Sequence, residues 1–244
     1  MTYYETIDEI VMDLEKRPVE SSGHIYHPIP FPEFAHLKTS SDSTEVYRKW
    51  NLIKKTLQTI FPGGLSGRKI LDVGANAGFF TYSLAMDEAE VTAFEPHPRY
   101  APIGKCLTRE KQLPIEWHET PLQCDVIQDR AFDAALMLSV FQWMADGGKR
   151  FVDAVEELHA VAKITRYLFF ELGFNSGCSC IVTEKRNHYG ELIRLLRNGT
   201  PYECFMLIGK TKLWRASSRY LVLCSDDQRF DDLSFRKLLR IINI

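Results

Sequence analysis

The sequence predicts an α/β fold: a doubly wound, seven-stranded, mostly parallel sheet with helices on both faces and a C-terminal antiparallel hairpin. Three observations predict it. Short apolar runs at residues 69–73, 91–95, 115–118, 134–138 and 167–172 read as strands. Helical patterns near residues 79–86, 100–111 and 148–162 lie among them, and that alternation implies parallel strands with right-handed crossovers. Two later strand-like runs, residues 204–209 and 219–224, are joined by a short polar connection and read as an antiparallel pair.

The other elements read in order along the chain. Residues 6–17 form a first helix, with Ile7, Ile10, Val11 and Leu14 on one face and a capping-box pattern at Thr6 and Glu9. Residues 18–43 contain HIYHPIPFPEF, whose prolines suit an extended segment packed over a surface, either as a cap on the site or as a brace. A second helix, residues 44–60, repeats Val46, Trp50, Ile53, Leu57 and Ile60, starts at Asp42 with Glu45 and ends at Pro62-Gly63-Gly64. The chain thus reads as an N-terminal helix and cap segment, 1–43, joined to the main domain, 44–244. Within 148–162, Phe151, Val155 and Leu158 share one face; residues 188–197 form a helix stopped by Asn198-Gly199. Residues 231–244 read as a short docking helix with Arg236, Lys237 and Arg240 on its wet face.

Composition excludes little. The 244 residues carry a formal net charge of -2, which gives no bulk argument for nucleic acid or membrane. No apolar run approaches the roughly 18 residues of a membrane helix, and the acidic, amphipathic N-terminus is no secretory signal, so a cytoplasmic location is expected. Six scattered cysteines without a CxxC pair read as reduced thiols, and no metal site is expected; only Cys178-Ser179-Cys180 merits a metal assay.

The chemistry concentrates at two strand ends. Ligands of open α/β sheets bind outside the carboxyl ends of the strands. After Val73, Gly74 and Gly78 remove side chains where backbone must pass close to a ligand, and the next helix N-terminus favours a carboxylate. Asp72 orients that turn or meets an ammonium through water. Glu95, 21 residues after Gly74, can accept both hydroxyls of an adenosine ribose, and Pro96 ends its strand. Ala75 and Asn76 occupy the place where a dinucleotide fingerprint needs its middle glycine, which disfavours NAD. S-adenosylmethionine (SAM) is the leading cofactor.

These residues resemble a class I SAM-dependent methyltransferase. Residues 72–78, Asp-Val-Gly-Ala-Asn-Ala-Gly, match that family's first motif, and Glu95 matches its ribose-binding acid. The segment from Ala131-Phe132-Asp133 through Ser139-Val140-Phe141-Gln142-Trp143-Met144 resembles the part that closes over cofactor and substrate. DVGANAGFF and AFEPHP resemble the FkbM-type branch, which methylates hydroxyls of sugars and natural products. The resemblance implies cofactor contacts at Asp72, Gly74, Ala75, Asn76, Gly78, Phe79, Glu95, Pro96, Ser139 and Gln142. An acid against adenine has no clear counterpart; Glu119, Asp125 or backbone near Leu122 are the choices.

A hydroxyl acceptor needs a base. Among His97, His118, His188 and Glu171, the expected bases are His188, in the segment after the fifth strand, and Glu171, at its end. Trp143, Tyr26 and His27 are expected to line the substrate pocket. The favoured acceptor is a small molecule or saccharide. RNA is the alternative, with Arg194, Arg197, Lys210, Lys212, Arg215, Arg219, Arg236, Lys237 and Arg240 as candidate charges; a non-catalytic SAM-fold partner is the third reading.

Overall fold

The computed structural model describes residues 3–173, 188–213 and 217–230. Its elements are α1 (Ile7–Lys16), α2 (Ser43–Ile60), β1 (Lys69–Val73), α3 (Phe79–Met86), β2 (Glu90–Phe94), α4 (Ala101–Glu110), β3 (Ile115–His118), α5 (Cys124–Ile127), β4 (Phe132–Leu138), α6 (Phe141–Met144), α7 (Phe151–Ile164), β5 (Thr165–Glu171), α8 (His188–Gly199), β6 (Cys204–Leu213) and β7 (Ser217–Ser225). The sheet has seven strands in the order β3-β2-β1-β4-β5-β7-β6, and β7 runs antiparallel to both its neighbours. The chain divides into two compact units, Met1–Gln123 and Cys124–Ile244.

In the first unit, β1, β2 and β3 are parallel and in step. Val73 pairs with Phe94 and Phe94 with His118, so the three strands end together. The next residues, Gly74, Glu95 and Glu119, therefore leave the sheet at one edge. Helix α1 starts where the sequence puts it: Thr6 Oγ1 accepts from the Glu9 amide at 3.3 Å. The Glu9 carboxylate reaches back to the Glu5 amide instead of Thr6, so only half of the capping box forms. Asp42 caps α2 through the Thr44 amide, and Val46, Trp50, Ile53, Leu57 and Ile60 are all buried as their spacing requires.

Residues 4–37 share one core with α3 and α4. Ile25, Ile29, Phe31, Phe34 and Leu37 are buried with Tyr82 of α3 and with Ile103 and Leu107 of α4. Each such side chain contributes about 1.5–3 kcal/mol by leaving water, so the segment is held by a substantial apolar term. Phe31 packs on the Tyr82 ring, which also stacks on Trp117.

In the second unit, β4 pairs with β5 in parallel and β7 with β5 antiparallel. The β6–β7 hairpin is longer than expected and carries an irregularity between Leu207 and Gly209. The buried stripe of α7 is Ala154, Leu158 and Val161, not Phe151, Val155 and Leu158. Phe151 is the first residue of the helix, remains 39% exposed and meets Phe141 edge-on. Helix α8 continues through Gly199 to the Thr200 amide, which returns to the Leu196 carbonyl, one turn fragment beyond the expected stop. The expected docking helix 231–244 and Cys178-Ser179-Cys180 lie outside the described residues.

Candidate functional site

The turn after β1 is built from residues that tolerate a left-handed backbone. Gly74, Asn76 and Gly78 have φ of 77°, 54° and 91°. The Gly74 and Ala75 amides both donate to the Phe94 carbonyl, at 2.9 and 3.1 Å, which sews the turn to the end of β2. Gly74 and Asn76 are its partly exposed residues; Ala75, Ala77 and Gly78 are buried.

The reason for Gly78 differs from the expected one. A Cβ there would lie 2.4 Å from the Tyr82 ring, which is fully buried and packed against Phe31 and Trp117. That glycine makes room for this chain's own tyrosine, and its positive φ starts α3. Phe79 is likewise a core residue, 1% exposed and edge-on to Tyr47 and Phe80, so its ring serves packing, and a contact with the cofactor there falls to its backbone.

Two buried carboxylates flank the turn. Asp72 accepts from Thr81 Oγ1 at 2.6 Å, pinning β1 to α3. Burial, opposed by the Thr81 hydroxyl and reinforced by the nearby Glu95 charge, pushes its pKa up to about 7. Glu95 is 6% exposed; its Oε2 accepts from the Asn76 amide at 2.6 Å and its Oε1 from the His97 amide at 2.8 Å. Burial raises its pKa while those two amides oppose the shift. A carboxylate offers about four lone-pair positions, so the two amides leave two for a ligand. The buried Asn76 Oδ1 beside it has no hydrogen-bond partner. A nucleoside sugar, with adjacent hydroxyls that donate, supplies what these acceptors lack. Pro96 and His97, which follow Glu95, are exposed.

Tyr26 and His27 lie side by side, with ring centroids 4.6 Å apart, and His27 meets Phe80 of the first turn of α3 edge-on at 5.9 Å. Both are half-buried. His118 stacks on Phe94 at 4.4 Å and contacts Glu116, while Glu119 sits 3.8 Å from Lys105. Asp125 is exposed in α5.

The second unit holds a different arrangement. Ser139, at φ 57°, follows β4, and its amide donates to the Glu171 carbonyl at 2.7 Å. Glu171 is fully buried; it accepts from Thr211 Oγ1 at 2.5 Å and from the close Ser139 hydroxyl. Arg219 Nη1 donates to Ser139 Oγ at 2.9 Å. Gln142 is 1% exposed: its amide nitrogen donates to the Ser139 carbonyl and its oxygen accepts from the Gly173 amide. The side chains of Glu171, Ser139 and Gln142 are therefore committed to one another and to β6 and β7. Trp143, by contrast, is 61% exposed. His188 opens α8, and its side chain lies outside the described residues.

Sequence reasoning missed the partners of Glu171. Arg219, counted among surface charges, is 4% exposed; the signal was a lone arginine opening an apolar strand. Lys210 lies over the Tyr220 ring and Arg194 pairs with Glu191. The side chains of Lys212 and Arg215 lie outside the described residues. Among the described residues, no group of three or more His, Cys, Asp or Glu is placed to hold a metal, and no helix is long and apolar enough to cross a membrane.

Residues 71–170, which run from within β1 almost to the end of β5 and include Asp72 and Glu95, match the family described as "Methyltransferase domain". This match, the O-methyltransferase relatives and the fold together support a class I SAM-dependent methyltransferase. Over 85 residues this methyltransferase domain is 32% identical to a ubiquinone biosynthesis O-methyltransferase of Methylocella silvestris, covering 35% of this chain and 33% of that one. Over 146 residues it is 25% identical to the Bordetella parapertussis protein of the same description, covering 59% of this chain and 58% of that one. The chain thus spans about a third to three-fifths of the length of these curated relatives. Among solved structures, the bifunctional kinase-methyltransferase WbdD superposes with a TM-score of 0.67 at 20% identity, covering 88% of this chain and 46% of WbdD. The N-terminal domain of EvdMO1, solved with SAH and D-fucose, gives 0.58 at 14% identity, covering 89% and 95%. These likenesses show the fold. The matched family is the general methyltransferase domain, so the FkbM-type resemblance rests on its two short phrases alone.

Proposed function

We propose that this chain transfers the methyl group of SAM to a hydroxyl of a small molecule or saccharide, in the cytoplasm. The observation that carries the reading is Glu95: a buried carboxylate at a strand end, oriented by two backbone amides, with two acceptor positions left over. Adjacent ribose hydroxyls suit those positions, and each charge-assisted bond is worth about 1.5–3 kcal/mol. Asn76 Oδ1 is a further acceptor at the same turn. The first-turn amides of α3, free of intrahelical partners, suit the carboxylate of a methionine tail.

SAM, when bound, supplies a methyl carbon already activated by its sulfonium. The protein's task is to align the acceptor and exclude water, and such positioning supplies about 7–11 kcal/mol. Tyr26, His27 and Phe80 form an aromatic wall at the start of α3, and Trp143, in the second unit, is by itself an exposed aromatic face suited to an acceptor. Glu171 is sealed within its own cluster, which leaves His188, of the two bases expected from sequence, to take the hydroxyl proton. A hydroxyl acceptor is supported by the O-methyltransferase relatives, and a saccharide by the D-fucose in the EvdMO1 structure.

Calorimetry with SAM and SAH tests the donor. A radiolabelled-methyl assay against fractionated metabolites, glycans and RNA from the source cell tests the acceptor. We expect both nucleosides to bind and label to enter the metabolite or glycan fraction. Binding of neither nucleoside would end the reading, and label confined to RNA would move the acceptor to that class.

A further inference from the structure

Tyr100 stands where the N-terminal segment meets the turn that carries Glu95. Three hydrogen bonds link it to the acid: the Glu95 side chain accepts from the His97 amide, and the His97 carbonyl accepts from the Tyr100 and Ala101 amides at 3.0 and 2.9 Å. The Tyr100 ring lies 4.8 Å from the His97 imidazole. Its hydroxyl, buried under residues 20–26, donates to Glu20 Oε1 at 2.6 Å and accepts from the Tyr26 amide at 3.0 Å. Neighbouring Arg99 adds a second tie, from Nη2 to Asp13 Oδ2 of α1 and to the Arg17 carbonyl, at 2.9 and 2.6 Å.

We infer that Tyr100 is a positioning residue for the nucleoside: its hydroxyl latches residues 20–26 onto the Glu95 turn and holds Glu95 in its binding orientation. This rests on the reading of Glu95 as the ribose acid. The geometry supports coupling in both directions. A turn whose amides already orient the carboxylate loses that orientation if it swings outward, and Tyr100 fixes its far end. Tyr26, carried by the same latch, brings His27 against Phe80 at the start of α3. One hydroxyl therefore ties the aromatic wall to the acid. Burial and the adjacent Glu20 carboxylate raise the Tyr100 pKa, so the hydroxyl keeps its proton and remains a donor at every working pH.

The test is SAH affinity by calorimetry for the wild-type chain, Tyr100→Phe, Glu20→Ala, Glu20→Gln and the Tyr100→Phe/Glu20→Ala pair. Tyr100→Phe keeps the ring packed on His97 and removes both latch bonds. We expect it and Glu20→Ala each to weaken SAH on the order of tenfold, about 1.4 kcal/mol. Glu20→Gln, whose amide oxygen still accepts, is expected to stay within about twofold of wild type, and the double variant to lose no more than the worse single one. Glu20 is half-buried, so Glu20→Ala carries the test if Tyr100→Phe does not fold. Unchanged SAH affinity in the folded variants, or losses that simply add, would overturn the latch. A wild-type chain that binds no SAH would instead overturn the underlying reading of Glu95.

Discussion

Glu95 and Glu171 are both buried carboxylates at the carboxyl ends of strands, one in each compact unit, and their surroundings give them opposite uses. Glu95 is held by two backbone amides from its own turn and its neighbour, and keeps lone pairs in reserve. Glu171 is met by side-chain hydroxyls from β4's end and β6, with Arg219 of β7 on the same serine. The first arrangement is open to a ligand that donates hydrogen bonds. The second is closed, fixes the backbone at Ser139 and offers no lone pair at a surface. A strand-end acid is a binding group only where its partners leave it unfinished.

The largest effect expected from breaking this contrast is on the closed side. Glu171→Ala leaves Thr211, Ser139 and the Arg219 charge buried around a hole, and removing one partner from such a charged cluster costs about 3–5 kcal/mol. Urea unfolding should register that loss directly. Glu171→Gln keeps the shape and should cost less, with turnover at saturating substrate close to wild type. If Glu171→Gln instead abolished turnover with stability intact, Glu171 would be the base after all.

On the open side, Glu95→Ala should weaken SAM and SAH binding about 100-fold, the worth of two charge-assisted bonds at the lower end of their range. Its melting temperature should move less than that of Glu171→Ala, because Asn76 is only half-buried and His97 is exposed, so water can reach the amides left without the carboxylate. Calorimetry and a thermal melt on the same preparation separate the two effects. A variant that binds SAH normally would remove Glu95 from the site.

The contrast also explains what could be read from sequence. Glu95's donors lie 19 and 2 residues away, inside one strand–turn–helix–strand unit, so motif spacing was enough to place it. Helix α3 was legible to the residue because an apolar run begins directly after a left-handed glycine. Glu171's partners lie 32 and 40 residues away on elements whose order in the sheet no local pattern encodes, so its position suggested a base and its burial did not show. Gly78 was read as leaving room for a ligand; the Tyr82 ring that also requires a glycine there depends on how α3 packs, which the motif spacing does not show. Four-residue helices such as α5 and α6 carry too few turns for any periodicity.

Asp72 gives a smaller, pH-dependent test of the open side. Its carboxyl titrates at about 7 when folded against an ordinary 3.8, so between those values the folded chain holds a proton that the unfolded chain has released. Stability from this group is therefore greatest below pH 4 and declines as pH rises to about 7, with a slope of at most about 1.4 kcal/mol per pH unit. Asp72→Asn still accepts from Thr81 and removes the titration. Thermal melts from pH 5 to 8 should fall less steeply for Asp72→Asn than for wild type; parallel curves would mean that Asp72 stays ionised through electrostatic relief from elsewhere.

The smallest effect on the fold, and the sharpest on the acceptor, is expected at Trp143. It stands two positions after Phe141 in α6, yet Phe141 is fully buried against Phe170 while Trp143 is 61% exposed. Truncating an exposed side chain that supports nothing changes stability by only about 0.5 kcal/mol, so Trp143→Ala should melt with wild type. SAH affinity, which is assigned to the Glu95 turn, should also hold. A large aromatic left in water at the end of β4 has a use if an acceptor ring packs on it, and that contact would be felt before chemistry. The KM for the methyl acceptor in the active fraction should then rise severalfold at unchanged kcat, the pattern of lost uniform binding. A parallel fall in kcat would mean that Trp143 aligns the hydroxyl as well as binding its ring, and no change in either constant would return it to the solvent-facing surface.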